Sequence, residues 1–343
     1  MCKLIKSRDR RLLRLVPILV LAALVLTMVT TEASNPFRTE ENGMSIYHDI
    51  GYTQANSANQ SLDLFVPKQT PPRALPLVIL IHGGGWLSGD KKDFEGLAHE
   101  FISRGFAFAS INYRLSSQST WPAQAIDCKA AVRWLRLSAN KYHLDPERFA
   151  VGGHSAGAHL AAFLGATNGV KEFDQGANLK TSSNVQAVLW FSGIADLVAR
   201  ANTPGFEIVQ KSNSDQSRLL GAPTLDRRNL AMQASPVTWV SKDTAPFFFE
   251  AGTLDKVVPL NQIDLMREAL RKQNIYSEVY LLKGVSHFSL EFFDKTHLDL
   301  IDKFLKRTLR TDIEEAQINK NLRADRANRH AHQTGAKHGK SAP

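Results

Sequence analysis

Short apolar runs alternate with helical periodicities along most of the chain. Continuous apolar runs are typical of strands buried on both faces of a sheet, and they occur at residues 77–81, 106–111, 149–151, 185–191, 247–250 and 278–282. Residues 60–66 instead alternate apolar with polar positions, which favours an edge or antiparallel strand. Helical patterns intervene at residues 94–104, 122–142, 156–167, 260–272 and 293–308. This order predicts an α/β fold with a mostly parallel sheet of about eight strands and helices on both faces.

Residues 197–240 interrupt the alternation. The segment is rich in Ser, Asn and Asp, and it is longer than a simple connection between a strand and a helix. We therefore expect a small insertion above the sheet that forms a lid or carries function.

The N-terminal residues have the composition of an export signal. Six basic side chains between Lys3 and Arg14 precede an apolar run at residues 15–29, and small residues follow around Ala33. This order is typical of a cleavable signal peptide, and the run is shorter than the roughly 20 residues of a bilayer span. We predict that residues 1–33 direct export to the periplasm or the medium, with an uncleaved anchor at residues 15–29 as the alternative.

The formal net charge of +9 is concentrated at the two ends of the chain. Residues 1–33 carry six basic and two acidic side chains, and residues 311–343 carry six basic and four acidic ones. The segment between them, a catalytic domain predicted at residues 34–310, is only weakly basic, which argues against nucleic acid as a partner. Residues 311–343 lack any apolar period, which predicts a disordered basic tail. Membrane contact is expected only through an N-terminal anchor.

Ser155 stands in the sequence Gly-His-Ser-Ala-Gly, between an apolar strand and an Ala-rich helix. A sharp strand-to-helix turn exposes a serine hydroxyl in a cleft, and the flanking glycines remove Cβ atoms that would collide there. The helix that follows directs its N-terminal amides at any negative charge that forms beside Ser155. This context makes Ser155 a candidate nucleophile, with a purely structural turn as the alternative.

Three glycines follow the buried strand at residues 77–81, in the run His-Gly-Gly-Gly-Trp at residues 82–86. Such a run is useful where backbone N–H groups must approach a cleft closely, because each glycine costs conformational entropy. The amides of Gly84, Gly85 and Ala156 are candidates for an oxyanion hole. A phosphate-binding loop would need a Lys followed by Ser or Thr, which this run lacks.

The order nucleophile, acid, histidine along the chain predicts an acid after a late strand and a histidine after the last one. Asp255 follows the apolar run at residues 247–250, and His287 follows the run at residues 278–282. Both lie at the carboxyl ends of predicted parallel strands, the edge where Ser155 also lies. Asp196 is an alternative acid, but a helix cap or a hydrogen bond within the lid loop explains it better.

These motifs resemble the α/β-hydrolase superfamily, and more narrowly its exported esterase and lipase branch, with the bifunctional feruloyl and acetylxylan esterases and the kynurenine formamidases. The resemblance covers about residues 48–308 and rests on residues 82–86, 112–115, 145–148, 153–161, 252–255 and 286–287. It implies an α/β-hydrolase fold in which Ser155 is the nucleophile, His287 the general base and acid, and Asp255 the orienting carboxylate.

The expected activity is hydrolysis of short-chain or aryl carboxylic esters through an acyl-enzyme. An amidase or arylformamidase with the same triad and an inert binding protein remain alternatives. The predicted partner is a small-molecule ester, and no metal or organic cofactor is expected. Trp86, beside the glycines, and Tyr113, after a strand end, are predicted to shape the substrate pocket.

Overall fold

The computed structural model describes residues 37–55 and 57–310. The predicted leader at residues 1–33 and the predicted tail at residues 311–343 lie outside these described residues. Within them, nine strands form one sheet and eight α-helices accompany it.

The predicted strands and helices occur in the predicted order, and the structure adds two strands at residues 37–41 and 44–51 and three helices within residues 197–240. The strands are β1 (Phe37–Glu41), β2 (Met44–Gly51), β3 (Ser61–Pro67), β4 (Leu75–Ile81), β5 (Ala107–Ile111), β6 (Leu144–His154), β7 (Ala187–Phe191), β8 (Phe247–Gly252) and β9 (Ser277–Leu282). The helices are α1 (Ala98–Ser103), α2 (Ala123–Leu137), α3 (Ala156–Ala166), α4 (Leu197–Asn202), α5 (Asp215–Leu220), α6 (Arg228–Ala234), α7 (Asn261–Lys272) and α8 (Lys295–Thr308).

The sheet has the strand order β1-β2-β3-β5-β4-β6-β7-β8-β9. Strands β1, β2 and β3 pair antiparallel with their neighbours, and β5, β4, β6, β7, β8 and β9 pair parallel. The sheet is therefore mostly parallel, as predicted, with nine strands rather than about eight. Strand β1 is mostly exposed and has the polar sequence Phe-Arg-Thr-Glu-Glu, so no apolar run predicted it.

Strand β3 is antiparallel, as its alternating pattern predicted, but it lies inside the sheet rather than at an edge. Its polar residue Asp63 is buried, and Oδ2 of Asp63 accepts a hydrogen bond of 2.8 Å from Nζ of the buried Lys91. The backbone amide of Asp49 donates to Oδ1 at 2.7 Å. The polar position of β3 thus reflects a satisfied buried ion pair, because buried charges require partners.

The core consists of two apolar layers, one on each face of the sheet. Strand β4 is fully buried and contributes to both: Leu77, Ile79 and Ile81 face one layer, and Val78 and Leu80 face the other. The first layer also holds residues of α2, α3 and α7, and the second holds residues of α1 and α8. Burial on both faces explains why this strand is apolar at every position.

The insertion at residues 197–240 contains α4, α5 and α6. Leu197, Leu219 and Ala231 join the first core layer and are fully buried, so the insertion packs onto the domain through apolar side chains despite its polar composition. Its role as a lid stays a prediction. Among the described residues, none of the helices combines the length and apolarity that crossing a membrane requires.

Glu250 is a carboxyl group fully buried in β8. Neither of its carboxyl oxygens has a hydrogen-bond partner among the described residues. The Nδ1 atom of His297 lies 3.4 Å from Oε1, but that nitrogen already bonds the carbonyl oxygen of Glu291 at 2.6 Å. Burial, with a smaller contribution from Asp294, raises the pKa of Glu250 to about 9. Glu250 is therefore protonated in the folded protein at neutral pH.

Replacement of this residue by its neutral isostere, Glu250→Gln, should stabilise the protein at alkaline pH. The carboxyl group has its ordinary pKa of 4.5 in the unfolded chain and a pKa of about 9 in the folded protein, so stability is lost as the pH rises between these values. We expect Glu250→Gln to increase the free energy of unfolding at pH 8 by about 4 kcal/mol and to change it far less at pH 5. Urea denaturation at the two pH values measures this difference, with Glu147→Gln as the exposed control. An equal gain at both pH values would contradict the assignment.

Candidate active site

Ser155 lies at the sharp junction between β6 and α3. Its backbone has φ +56° and ψ −118°, a strained conformation for a residue with a side chain. The amide of Ser155 donates a hydrogen bond of 2.9 Å to the carbonyl oxygen of Phe191 in β7, which fixes the turn to the neighbouring strand. A Cβ atom on Gly157 would lie 2.0 Å from the carbonyl oxygen of Ile81, and one on Gly153 would lie 2.5 Å from the carbonyl carbon of Gly157. Both glycines are therefore required by close packing.

The structure brings together the three residues that the sequence proposes as a triad. The Nε2 atom of His287 lies 2.9 Å from Oγ of Ser155, and its Nδ1 atom lies 2.7 Å from Oδ2 of Asp255. Because Nδ1 donates its proton to the carboxylate, Nε2 is left to accept the proton of the serine hydroxyl. The three residues come from the carboxyl ends of β6, β8 and β9.

Asp255 is held at both carboxylate oxygens. The amides of Val257 and Val258 donate to Oδ1 at 2.8 and 2.9 Å, while Oδ2 accepts from His287. Burial alone would raise the pKa of Asp255, but the hydrogen bond and charge of His287, with these two amides, outweigh burial and lower that pKa. Asp255 thus stays ionised and is oriented toward the imidazole.

His154 supports the loop of His287, a role that sequence reasoning missed. Its Nε2 atom donates to the backbone carbonyl oxygen of His287 at 2.7 Å, and the two rings lie 4.7 Å apart. Burial and then the charge of His287 lower the pKa of His154 to about 4, so the ring is neutral and can both donate and accept a hydrogen bond. The acceptor is a backbone atom far along the chain, so no side-chain pattern could have indicated this contact.

The glycine run forms a tight turn beside Ser155. Gly84 and Gly85 have φ values of +90° and +60°, where glycine carries no steric penalty. The carbonyl oxygen of Gly84 accepts the amides of Leu87 and Ser88 at 3.0 and 3.1 Å. A Cβ atom on Gly83 would lie 3.6 Å from Cβ of Ser155, which places the turn directly against the serine.

Two buried aromatic residues pack beside this turn. The hydroxyl of Tyr113 donates to the carbonyl oxygens of His82 and Gly83 at 3.2 and 3.3 Å, and its ring stacks on the His82 ring at 4.3 Å. Trp86 packs edge-to-face against His159, with ring centroids 5.1 Å apart. Trp86 and Tyr113 are both fully buried, and their contribution to a substrate pocket stays a prediction.

Asp196, the alternative acid, caps a helix, as the sequence predicts. Its Oδ1 atom accepts the amide of Ala199 at 2.9 Å, at the N-terminus of α4. The structure thus gives Asp196 the capping role that we favoured for it over the role of a second orienting carboxylate.

Among the described residues, His48, Asp63 and Glu95 form a group whose donor atoms lie within 4.8 Å of one another. The ammonium group of Lys91 already pairs with Asp63 at 2.8 Å, and Thr39 bonds the ring of His48 at 2.8 Å. Because a cationic side chain occupies this carboxylate, we assign no metal to the group.

Comparison with known proteins identifies the family of this chain. The BD-FAE family model matches residues 62–270, a segment that includes Ser155 and Asp255. The chain belongs to the BD-FAE family. In this BD-FAE protein, His287 lies beyond the matched segment, and the structure shows that its loop returns to Ser155.

Similar proteins have esterase names, and similar solved structures share the fold. The probable carboxylic ester hydrolase LipM of Mycobacterium tuberculosis is 32% identical over 67% of this chain and 54% of its own length. The solved structure of a truncated carbohydrate esterase from gut microbiota covers 81% of this chain and 99% of that one, with 27% identity and a TM-score of 0.71. A bifunctional GH43-CE protein of Bacteroides eggerthii covers 77% of this chain and 38% of that one, with 30% identity and a TM-score of 0.69.

This BD-FAE protein has the α/β-hydrolase fold, as its motifs predict. It spans about half the length of the first curated relatives that it matches.

The strand-to-helix turn at residues 153–157, which we call the elbow, is packed so closely that its glycines can be tested by substitution. In Gly157→Ala, the added methyl group would overlap the carbonyl oxygen of Ile81, at 2.0 Å, so either α3 or β4 must move. We expect the free energy of unfolding to fall by about 2 kcal/mol or more, as measured by chemical denaturation. The control is Gly96→Ala, since nothing lies within 4 Å of a Cβ at that position. Equal stability of the two variants would show that the elbow tolerates a side chain.

Proposed function

We propose that this chain is a serine hydrolase that cleaves carboxylic esters through an acyl-enzyme. The observation that carries the proposal is the hydrogen-bonded series from Oγ of Ser155 through His287 to Asp255, built at a strained elbow beside a glycine turn. Membership of the BD-FAE family supports it, as do relatives named as ester hydrolases and carbohydrate esterases.

The geometry supports a two-step reaction. In the first step His287 removes the hydroxyl proton as Oγ of Ser155 attacks the ester carbonyl, and the protonated imidazole then gives that proton to the leaving alcohol. In the second step His287 takes a proton from water as the water attacks the acyl-serine, and the imidazolium then returns this proton to Oγ of Ser155 as the carboxylic acid leaves. Asp255 holds the imidazole in the required tautomer and stabilises its positive charge.

The oxyanion of each tetrahedral intermediate requires hydrogen-bond donors, and we propose the amides of Gly84, Gly85 and Ala156. Ala156 is the first residue of α3, where backbone amides have no acceptor within the helix. The positive end of the helix dipole adds to the attraction. The position of the glycine turn against Ser155 supports the other two donors.

The proposed substrate is a small ester with a short-chain or aryl acyl group. Apolar side chains flank the triad residues on the surface: Leu254 and Val257 beside Asp255, and Phe288 beside His287, are 57%, 45% and 55% exposed. Exposed apolar surface of this kind is typical of ligand-binding sites. It supports an apolar or aromatic group on the substrate.

The nucleophile is tested by Ser155→Ala with p-nitrophenyl acetate and butyrate. We expect kcat to fall by about 10⁴-fold or more, since the variant lacks the attacking oxygen, while thermal unfolding stays close to that of the wild type. Ser103→Ala, an exposed serine on α1, is the matched control. Substantial turnover by Ser155→Ala would overturn the proposal. Faster hydrolysis of aryl formamides than of the matched esters would instead favour the amidase alternative.

We also propose that the chain is exported and cleaved near Ala33. The basic segment and the apolar run at residues 15–29 support this destination. Expression of the full chain in a bacterial host, followed by fractionation and N-terminal sequencing, should find the protein outside the cytoplasm with a new terminus near Ser34. An intact N-terminus in the membrane fraction would identify an anchor, and an intact cytoplasmic protein would contradict export.

A further inference from the structure

Asp215, the first residue of α5, brings a carboxylate from the insertion to the glycine turn. A Cβ atom on Gly85 would lie 3.0 Å from Cβ and 3.4 Å from Oδ2 of Asp215, so the aspartate side chain packs directly on Gly85. Gly83, two residues earlier in the same turn, lies against Ser155. The carboxylate therefore borders the turn whose amides we assign to the oxyanion hole.

The carboxylate is only partly satisfied by its protein neighbours. Its Oδ1 atom accepts the amide of Gln216 at 2.6 Å. Its Oδ2 atom lies 3.7 Å from Nη2 of Arg200, which is longer than a hydrogen bond. The side chain of Asp215 is 29% exposed, so Oδ2 retains the capacity to accept a hydrogen bond from a ligand.

Arg200 is held in place by other acceptors. It is 3% exposed, and its Nη1 and Nη2 atoms donate to Oε1 of Gln216 at 3.2 Å and to the carbonyl oxygen of Val257 at 3.1 Å. Moving toward Asp215 would break these bonds in a buried environment, which is costly. Arg200 thus offsets part of the negative potential at Asp215 through an ion pair of 3.7 Å, and Oδ2 can still accept a shorter hydrogen bond from another donor.

A carboxylate in this position destabilises the transition state of esters that carry no hydrogen-bond donor. Negative charge develops on the carbonyl oxygen during attack, and the oxyanion hole is effective because its surroundings favour that charge. A nearby anion opposes it in a site with low effective dielectric constant. A substrate group that donates a hydrogen bond to Oδ2 would offset the cost, and an ammonium group would also neutralise the charge.

We propose that Asp215 is a specificity-determining residue that selects esters carrying a hydrogen-bond donor close to the ester carbonyl. It prefers an ammonium group to a hydroxyl group as that donor. This inference rests on the proposed ester hydrolysis at Ser155. It assigns to the insertion a direct contact with substrate, on the acyl or the alcohol side of the ester.

The test uses esters of matched size. On the acyl side, p-nitrophenyl propionate, glycolate and glycinate end in a methyl, a hydroxyl and an ammonium group. On the alcohol side, propyl acetate, 2-hydroxyethyl acetate and 2-aminoethyl acetate form the corresponding series. For each ester, kcat/KM is divided by its rate of hydrolysis by hydroxide, so that intrinsic reactivity cancels, at a pH that keeps the amine protonated.

In the wild type we expect the normalised kcat/KM to decrease in the order ammonium, hydroxyl, methyl ester in at least one of the two series. The series that shows this order identifies the side of the ester that Asp215 contacts.

In Asp215→Asn the normalised kcat/KM of the ammonium ester, divided by that of the methyl ester, should fall by about ten-fold or more. This is the effect of losing one charge-assisted hydrogen bond. The methyl ester itself should be hydrolysed faster than by the wild type. Asp215→Ala should also remove the preference for the hydroxyl ester. Asp226→Asn, which changes the same charge at an exposed position of the insertion, should leave all ratios unchanged.

Unchanged ratios in a folded Asp215→Asn variant would overturn the inference and leave Asp215 as a structural neighbour of Arg200. If that variant does not fold, the ratios of the wild type at low and high salt decide, because selection by charge weakens as salt screens it; ratios independent of salt would then overturn the inference. Failure of the proposed function is distinguishable, since the wild type would then hydrolyse no ester of either series faster than Ser155→Ala does.

Discussion

The contact between helix α3 and strand β4 at Gly157 is the constraint on which the site depends. The helix approaches the carbonyl oxygen of Ile81 so closely that no side chain fits between them. This closeness forces the chain to turn within one residue, and Ser155 takes the positive φ that the turn requires. The first apolar layer packs α3 against the sheet and so sustains the strain at Ser155.

A second close approach joins the two loops that carry Asp255 and His287. A Cβ atom on Gly252 would lie 2.2 Å from the carbonyl oxygen of Val285, and the amide of Leu254 donates to that same oxygen at 2.9 Å. The loops are therefore fixed to each other before either reaches Ser155. His154 adds a third attachment, from the elbow itself to the backbone of His287.

The features that could be predicted from the sequence are those that neighbouring residues of the chain define. Each of four features follows a predicted strand directly: the elbow, the glycine turn, Asp255 and His287. The structure brings these features together. Strands β1 and β2 were not predicted, because neither contains a continuous apolar run. The buried polar position of β3 suggested an edge strand, since its partner Lys91 is distant in sequence.

Contacts that depend on tertiary structure alone could not be predicted. His154 and Arg200 act on backbone carbonyl oxygens, which every residue possesses, so no pattern distinguishes them. Asp215 meets the glycine turn only because α5 folds back over it. The sequence motifs thus indicate the candidate triad residues, whereas the contacts that hold the loops of His287 and Asp255 are visible only in the folded structure.

The buried guanidinium of Arg200 limits which segments could replace the insertion at residues 197–240. It bonds Gln216 in the insertion and the carbonyl oxygen of Val257 in the loop of Asp255. An exchange of residues 197–240 with the corresponding segment of another protein would therefore remove a hydrogen bond that holds the loop of Asp255. Recombination at this boundary would keep that loop in place only if the incoming segment supplied an equivalent hydrogen-bond donor.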